Sequence, residues 1–195
     1  IGGGGVRSLF LAKSIALKAR ELNIDELVLM DTNDQKLEIF GSLAMEAAIR
    51  LAPHLKVSLT TDAREAVRDA DYVITTIRVG EDEARVADEK IALDLHLLPQ
   101  ETTGACGFSF AMRSIPVLAD YCGLIRDIAK PTVQVFNFTN PAGLVSQALR
   151  DAGFDFTYGI CDAPAGLLYQ IANLENVSTN HLDMDCYGLN HLSWF

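Results

Sequence analysis

The sequence has no Cys-x-x-Cys pair and no regular cysteine framework. Its four cysteines stand apart at positions 106, 122, 161 and 186. In a chain with this much apolar material, that pattern argues for reduced thiols and a cytoplasmic location rather than a disulfide scaffold. Basic residues are scarce too, with 16 Lys and Arg against 26 Asp and Glu and a formal net charge of −10. A nucleic-acid binder needs a basic footprint, so that class is excluded. A small anionic ligand is not, because a few local arginines can dominate one pocket. No apolar run approaches the roughly 18 residues that span a bilayer, so no membrane segment is expected. Linkers, repeats and low-complexity tracts are missing, and no signal peptide is visible. What is present is a 49% hydrophobic chain of 195 residues, enough for one full α/β domain and part of another.

Strand and helix patterns alternate along that chain, which favours a mostly parallel sheet covered on both faces. Gly2 to Gly5 form a tight loop. A helix is expected from about Val6 to Leu22, with Leu9, Ala12, Ala16 and Ala19 at helical spacing. Glu26 to Met30 reads as a buried strand ending at Asp31, and Asn33 or Asp34 can cap the helix that follows. Lys56 to Thr60 and Asp71 to Ile77 read as strands flanking a small helix from Asp62 to Ala70. A charged helix follows Gly80, then an irregular stretch from His96 to Gly107. Another helix runs from about Phe108 to Ala129, followed by a strand from Thr132 to Phe138. Asn140-Pro141 turns into a helix through Arg150, Phe156 to Ile160 is the next strand, and Leu192 to Phe195 reads as one more. The fold class expected is a Rossmann-like, doubly wound α/β sheet. Residues 1–160 form the nucleotide-binding domain, and 161–195 begin a second α/β domain for substrate and metal. Only Ile1 precedes the glycines where a full strand is usual, so an incomplete copy of a larger enzyme is expected.

Three clusters carry chemistry. Gly2, Gly3, Gly4 and Gly5 let backbone approach a diphosphate at a helix N-terminus, and Asp31 stands where a strand-end carboxylate accepts hydrogen bonds from a ribose diol. The pattern departs from G-x-G-x-x-G, since Arg7 or Ser8 occupies the third position; the plain alternative is a glycine turn beside a capping aspartate. Cys161, just past a strand end, and His191, after a Gly188-Leu-Asn turn, supply a thiolate and an imidazole suited to a metal, or else a buried thiol and a hydrogen-bonded histidine. His54, His96 and His181 have no such context. Asp162 is either a general acid or a cap for the helix at Pro164. Asn140, clustered with Asn137 and Thr139 at a strand end, binds a sugar hydroxyl or a cofactor, or stabilises its turn. Arg78, Arg85 and Arg113 are anion contacts or surface ion pairs.

An ordered set of stretches resembles the family 4 glycoside hydrolases across essentially all 195 positions. They are Ile1-Gly-Gly-Gly, Ile77-Arg-Val-Gly80, Glu83-Ala-Arg85, Asp88-Glu89, Gln100-Glu-Thr102, Met112-Arg-Ser-Ile115, Asn137-Phe-Thr-Asn-Pro-Ala-Gly143, Cys161-Asp-Ala-Pro164 and Gly188-Leu-Asn-His191. The resemblance implies a catalytic NAD and a divalent metal, usually Mn2+, held by Cys161 and His191. Arg85 and Asn140 match substrate-binding positions, and Glu101 matches an acid that raises the basicity of a catalytic tyrosine. Asp162 matches the proton donor of the 6-phospho-α-glucosidase branch, where the β branch tends to carry asparagine. Ala163 replaces the methionine usual in the α-branch motif, and Gly104-Ala-Cys-Gly107 replaces a Gly-Pro-Gly-Gly loop. The tyrosine and a later substrate arginine fall beyond Phe195, so the chain alone is expected to be inactive.

The implied reaction oxidises sugar C3 by hydride transfer to NAD, which acidifies the C2 proton. Elimination of the C1 aglycone, water addition and hydride return follow, with the metal as Lewis acid. The expected substrate is a phosphorylated disaccharide or glycoside, α-linkage favoured, and the expected assembly a homodimer or homotetramer. A lactate/malate-type 2-hydroxy-acid dehydrogenase is the alternative enzyme; it would consume NAD stoichiometrically and have no use for Cys161. A nucleotide-binding regulatory domain is the third reading, and it gives no reason for Cys161 and His191 to share a crevice.

Overall fold

The computed structural model describes residues 1–189 and 192–195. The elements alternate as α1 (Arg7–Lys18), β1 (Glu26–Met30), α2 (Asp34–Lys36), a π-helical turn (Leu37–Gly41), α3 (Ser42–Leu51), β2 (Lys56–Thr60), α4 (Ala63–Val67), β3 (Tyr72–Thr75), α5 (Glu81–Asp94), α6 (Gly104–Ile128), β4 (Gln134–Asn137), α7 (Ala142–Asp151), β5 (Thr157–Gly159), α8 (Ala163–Leu174), a 3-10 turn (Thr179–His181), β6 (Tyr187–Leu189) and β7 (Leu192–Trp194). β1 pairs parallel with β2, β4 pairs parallel with both β3 and β5, and β6 pairs antiparallel with β7. Ile1 and Gly2 bridge the two parallel ladders. The Ile1 nitrogen donates to Ile74 O and the Thr76 N–H to Ile1 O, while Gly2 N–H donates to Met30 O. The strand order across the layer is therefore β2-β1-Ile1-β3-β4-β5. This is the Rossmann-like arrangement anticipated from the alternation of patterns.

Local chemistry explains the element boundaries. Asn33 starts its helix by accepting the Lys36 N–H (3.0 Å), and Asp62 starts α4 by accepting the Arg64 N–H (2.8 Å). α1 ends at Lys18, short of Leu22, and the turn behind it places Asn23 at φ 53°. The irregular stretch expected through Gly107 stops earlier: Gly104, at φ 63°, opens α6. Gly107 lies inside that helix, and Thr102 packs so closely on it that a Cβ there would lie 2.6 Å from the Thr102 carbonyl carbon.

The core is divided along the sheet. Ala12, Ala16, Ala44 and Ala48 pack α1 and α3 against Leu29 of β1. Val67, Ile125 and Val135 fill the space between α4, α6 and the β3–β4 ladder. Leu118, Cys122, Val145 and Leu149 join α6 to α7. The small alanine faces let α1 approach α3 closely, which holds the glycine loop over the end of β1. Among the described residues, no helix is long and apolar enough to cross a membrane.

Candidate functional site

Because the paired strands run parallel, the segments leaving β1, β3, β4 and β5 gather at one edge of the sheet, where open α/β folds bind ligands. The glycine loop sits at that edge. Gly2 and Gly3 N–H groups both donate to Met30 O at 2.8 Å, and Gly2 takes φ 98°, a left-handed conformation suited to glycine. A Cβ on Gly2 would lie 2.6 Å from Thr76 Oγ1, and one on Gly3 would lie 2.9 Å from Met30 N. The loop is thus pressed between the ends of β1 and β3. Asp31 is fixed beside it: Oδ2 accepts the Gly4 N–H (2.9 Å) and Oδ1 the Asn33 N–H (3.0 Å). Each carboxylate oxygen keeps a second lone pair for a diol. In the first turn of α1, Ser8 is 4% exposed and its buried hydroxyl has no hydrogen-bond partner. The loop, the strand-end acid and this orphaned hydroxyl fit a dinucleotide.

A buried polar network ties the exits of β3 and β4 together. Asn137 Oδ1 accepts from the Thr75 hydroxyl (2.8 Å) and the Thr139 N–H (3.2 Å), and its Nδ2 donates to Thr139 O (3.0 Å). Thr139 Oγ1 accepts the Ile77 N–H (3.0 Å). Asn140 follows in a half-buried turn, joined to Pro141 by a cis bond. Asn137 and Thr139 are therefore structural supports, with Asn140 presented by the turn they hold.

Beyond β3, opposite charges crowd one cleft. Arg78 pairs with Glu101 (2.5 Å), and Arg85 with Glu89 one helical turn away (2.7 Å). The Glu89 carboxylate raises the proton affinity of Arg85, and Glu101 adds to that pull from across the cleft. Arg113 grips Asp88 with both guanidinium nitrogens (3.1 and 2.6 Å), and Ser109 Oγ also donates to Asp88 (2.7 Å). This grip holds the Asp88 carboxyl below its usual range. Arg78 and Arg113 both lie over the Phe110 ring, at 5.4 and 5.8 Å from its centroid. Of the three arginines proposed as anion contacts, Arg113 is thus committed to Asp88. The Phe110 platform went unread in the sequence; its spacing of three from Arg113 on one helix was the available signal.

At the end of β5, Cys161 is half-buried and Asp162 exposed, with 4.0 Å between Cys161 Sγ and Asp162 Oδ1. Asp162 does not cap α8 with its side chain; its carboxylate faces Arg7 Nη1 at 3.5 Å instead. His191, the other proposed ligand, lies outside the described residues. Among the described residues, no group of three or more His, Cys, Asp and Glu side chains could hold a metal. A soft sulfur beside a carboxylate, at the edge that also carries the glycine loop, is a pair of donor types that a divalent ion takes.

The sequence profile described as Family 4 glycosyl hydrolase matches residues 1–177. The 6-phospho-beta-glucosidase of Escherichia coli (strain K12) is 37% identical over 198 residues, covering 98% of this chain and 43% of that protein. A 6-phospho-alpha-glucosidase from gut microorganisms, solved in complex with NAD and Mn2+, superposes with a TM-score of 0.91 at 33% identity, covering 100% of this chain and 44% of that one. The 6-phospho-beta glucosidase of Thermotoga maritima, solved with NAD and glucose-6-phosphate, gives 0.91 at 31% identity, covering 99% and 46%. A lactate dehydrogenase of Trichomonas vaginalis gives 0.64 at 18% identity, covering 96% of this chain and 53% of that one, a likeness of fold alone. The chain spans less than half the length of the curated relatives it matches.

Proposed function

The chain belongs to the family 4 glycosyl hydrolases, and from that premise we propose that it is the nucleotide-binding portion of an NAD- and Mn2+-dependent 6-phosphoglucosidase. The observation that carries the reading is the shared sheet edge: glycine loop, Asp31, Asn140, Cys161 and Asp162 all follow strand ends that pair in parallel. Residues 1–160 are the nucleotide-binding domain, and 161–195 open the catalytic and metal-binding domain. Gly2 to Gly5 receive the diphosphate and Asp31 the ribose diol. Cys161 and His191 hold the metal. When bound, NAD supplies reversible hydride acceptance at a sugar carbon and Mn2+ supplies Lewis acidity beside it.

The chain's own residues do the rest. Asp162 delivers a proton to the departing glycosidic oxygen, which favours α-linked substrates by the resemblance drawn above. Arg85 and Asn140 hold the sugar. Glu101, oriented by Arg78, modulates the base that removes the C2 proton. The relatives divide between α and β names, so linkage is the part of this proposal that experiment must decide first. Exposed apolar side chains such as Leu98 and Leu174 support burial against further protein, in a homodimer or homotetramer. Four reduced cysteines suit a cytoplasmic enzyme.

The test uses the full-length protein under reducing conditions with nitrophenyl 6-phospho-α- and β-glucosides, omitting NAD or Mn2+ in turn. Nitrophenol release that needs both additions, without net NADH, is the expected result. NADH accumulating with a 2-hydroxy acid, and no nitrophenol from either glycoside, would replace this reading with the dehydrogenase.

A further inference from the structure

Arg7, one of the two residues that can stand at the third glycine position of a dinucleotide fingerprint, is the first residue of the 12-residue helix α1. Its guanidinium lies 5.5 Å from the centroid of Phe138, past the end of β4, and its Nη1 lies 3.5 Å from Asp162 Oδ2, past the end of β5. A side chain from the nucleotide loop therefore spans two strand exits and meets the residue beside Cys161. Both members of the pair are 70% exposed. Water screens such an exposed pair, so it is easily exchanged for a stronger one.

A stronger partner is the ligand this loop is built for. No side chain caps α1 and its first turn carries no acidic residue. The buried, unpartnered Ser8 hydroxyl lies in that same turn. A diphosphate bound there would meet amide hydrogens, the positive end of the helix and the Arg7 fork together. It carries more charge than one carboxylate and offers oxygens for bidentate contact. Phe138 gives the planar guanidinium a surface along which to turn from one acceptor to the other.

We propose that Arg7 is a shared counter-ion: it is held by Asp162 when the nucleotide site is empty and captured by the nucleotide diphosphate on binding, which frees the Asp162 carboxylate for the sugar. The inference rests on the nucleotide-binding reading above and adds to it a direct link between cofactor occupancy and the partner of Asp162.

Calorimetric titration of the full-length protein with NAD, ADP-ribose and adenosine tests it, using wild type, R7M, R7K, D162N and R7M/D162N. R7M should weaken NAD and ADP-ribose by about tenfold, leave adenosine unchanged and so report a folded site. R7K, a point charge without the fork, should recover part of the loss. D162N should tighten ADP-ribose by about twofold when Arg7 is present and have no effect in R7M. Unchanged ADP-ribose affinity in R7M would overturn the diphosphate contact. An equal gain from D162N in both backgrounds would show a simple field effect and overturn the exchange. Wild type that binds neither NAD nor ADP-ribose would sink the nucleotide reading itself, a distinct result.

Discussion

Replacing Asn137 by alanine should destabilise the chain more than any single polar deletion at the surface. Asn137 is fully buried, and its amide satisfies three groups: the Thr75 hydroxyl, the Thr139 N–H and the Thr139 carbonyl. Truncation strands all three where little water reaches. A stranded buried group costs about 1–3 kcal/mol, and the hydroxyl can rotate toward another acceptor, so the sum is about 3–5 kcal/mol. T75V removes one bond but leaves Asn137 Oδ1 with the Thr139 N–H, so it should cost only about 1 kcal/mol. In N137A/T75V there is no hydroxyl to strand, and the double variant should fall short of the summed singles by about 1 kcal/mol. Urea unfolding followed by far-ultraviolet circular dichroism gives the three values. Additivity within about 0.5 kcal/mol, or an N137A loss no larger than that of T75V, would refute the view that this network is a coupled, fully satisfied unit.

Two further outcomes follow from the same reasoning. The Arg113 grip depresses the Asp88 carboxyl in the folded state; a lowered carboxylate adds stability above its unfolded value of about 3.9, lost as pH falls through the folded value. Asp88 is only 11% exposed, so D88N should lose about 2–3 kcal/mol at pH 7. Urea midpoints should show that gap narrowing as pH falls below the unfolded value of about 3.9 and on through the lowered folded value, and a constant gap would count against the ion pair as its cause. Cys106 and Cys122 are buried, and burial pushes the Cys122 thiol up to about 11. At pH 8 an aromatic disulfide reagent should therefore modify Cys186 first and Cys161 next, sparing Cys106 and Cys122 until urea unfolds the chain. Peptide mass mapping reads the order, and early labelling of Cys122 would contradict the packing of α6 on α7.

Helical spacing of small residues was a dependable guide: Ala12, Ala16 and Ala19, picked out on periodicity, are all buried against β1 and α3. Strand bounds agree at Glu26–Met30 and Lys56–Thr60, and the expected bounds are longer than the observed ones at β3, β4 and β5. Thr132–Phe138 is observed as Gln134–Asn137: at its start the Val133 N–H closes a turn onto Lys130 O, and at its end the Asn137 side chain accepts the Thr139 N–H. Glycines misled at Gly104 to Gly107. Gly104 serves a positive φ at the helix start, and at Gly107 the absence of a Cβ serves a close approach by Thr102 and not a helix break. Asp31 beside its glycine loop was legible because both follow local rules of strand, turn and helix. The pairings of Arg78 with Glu101, Arg113 with Asp88 and Arg7 with Asp162 were not. They join residues 23, 25 and 155 positions apart, and nothing in local pattern selects one carboxylate over another.

The exit of β3 explains how these separate clusters come to act on one space. Three consecutive residues there each hold a different part of the site. The Thr76 N–H donates to Ile1 O, and its Oγ1 lies against the glycine loop, 3.3 Å from Gly2 O. The Ile77 N–H donates to Thr139, which braces the turn carrying Asn140. Arg78 reaches Glu101 and stacks on Phe110. Glycine loop, Asn140 turn and charged cleft are thereby referenced to a single short backbone segment. The proposed chemistry, which moves a hydride from one sugar carbon to NAD and a proton from the neighbouring carbon to a base, needs its groups placed to within a fraction of an ångström. Separate flexible loops would not hold that spacing, whereas one strand end bonded on both sides does. The apolar interior beneath β3, with Val73 against Val135 and Ile125, keeps that strand end in place and so belongs to the functional argument as much as any charged residue above it.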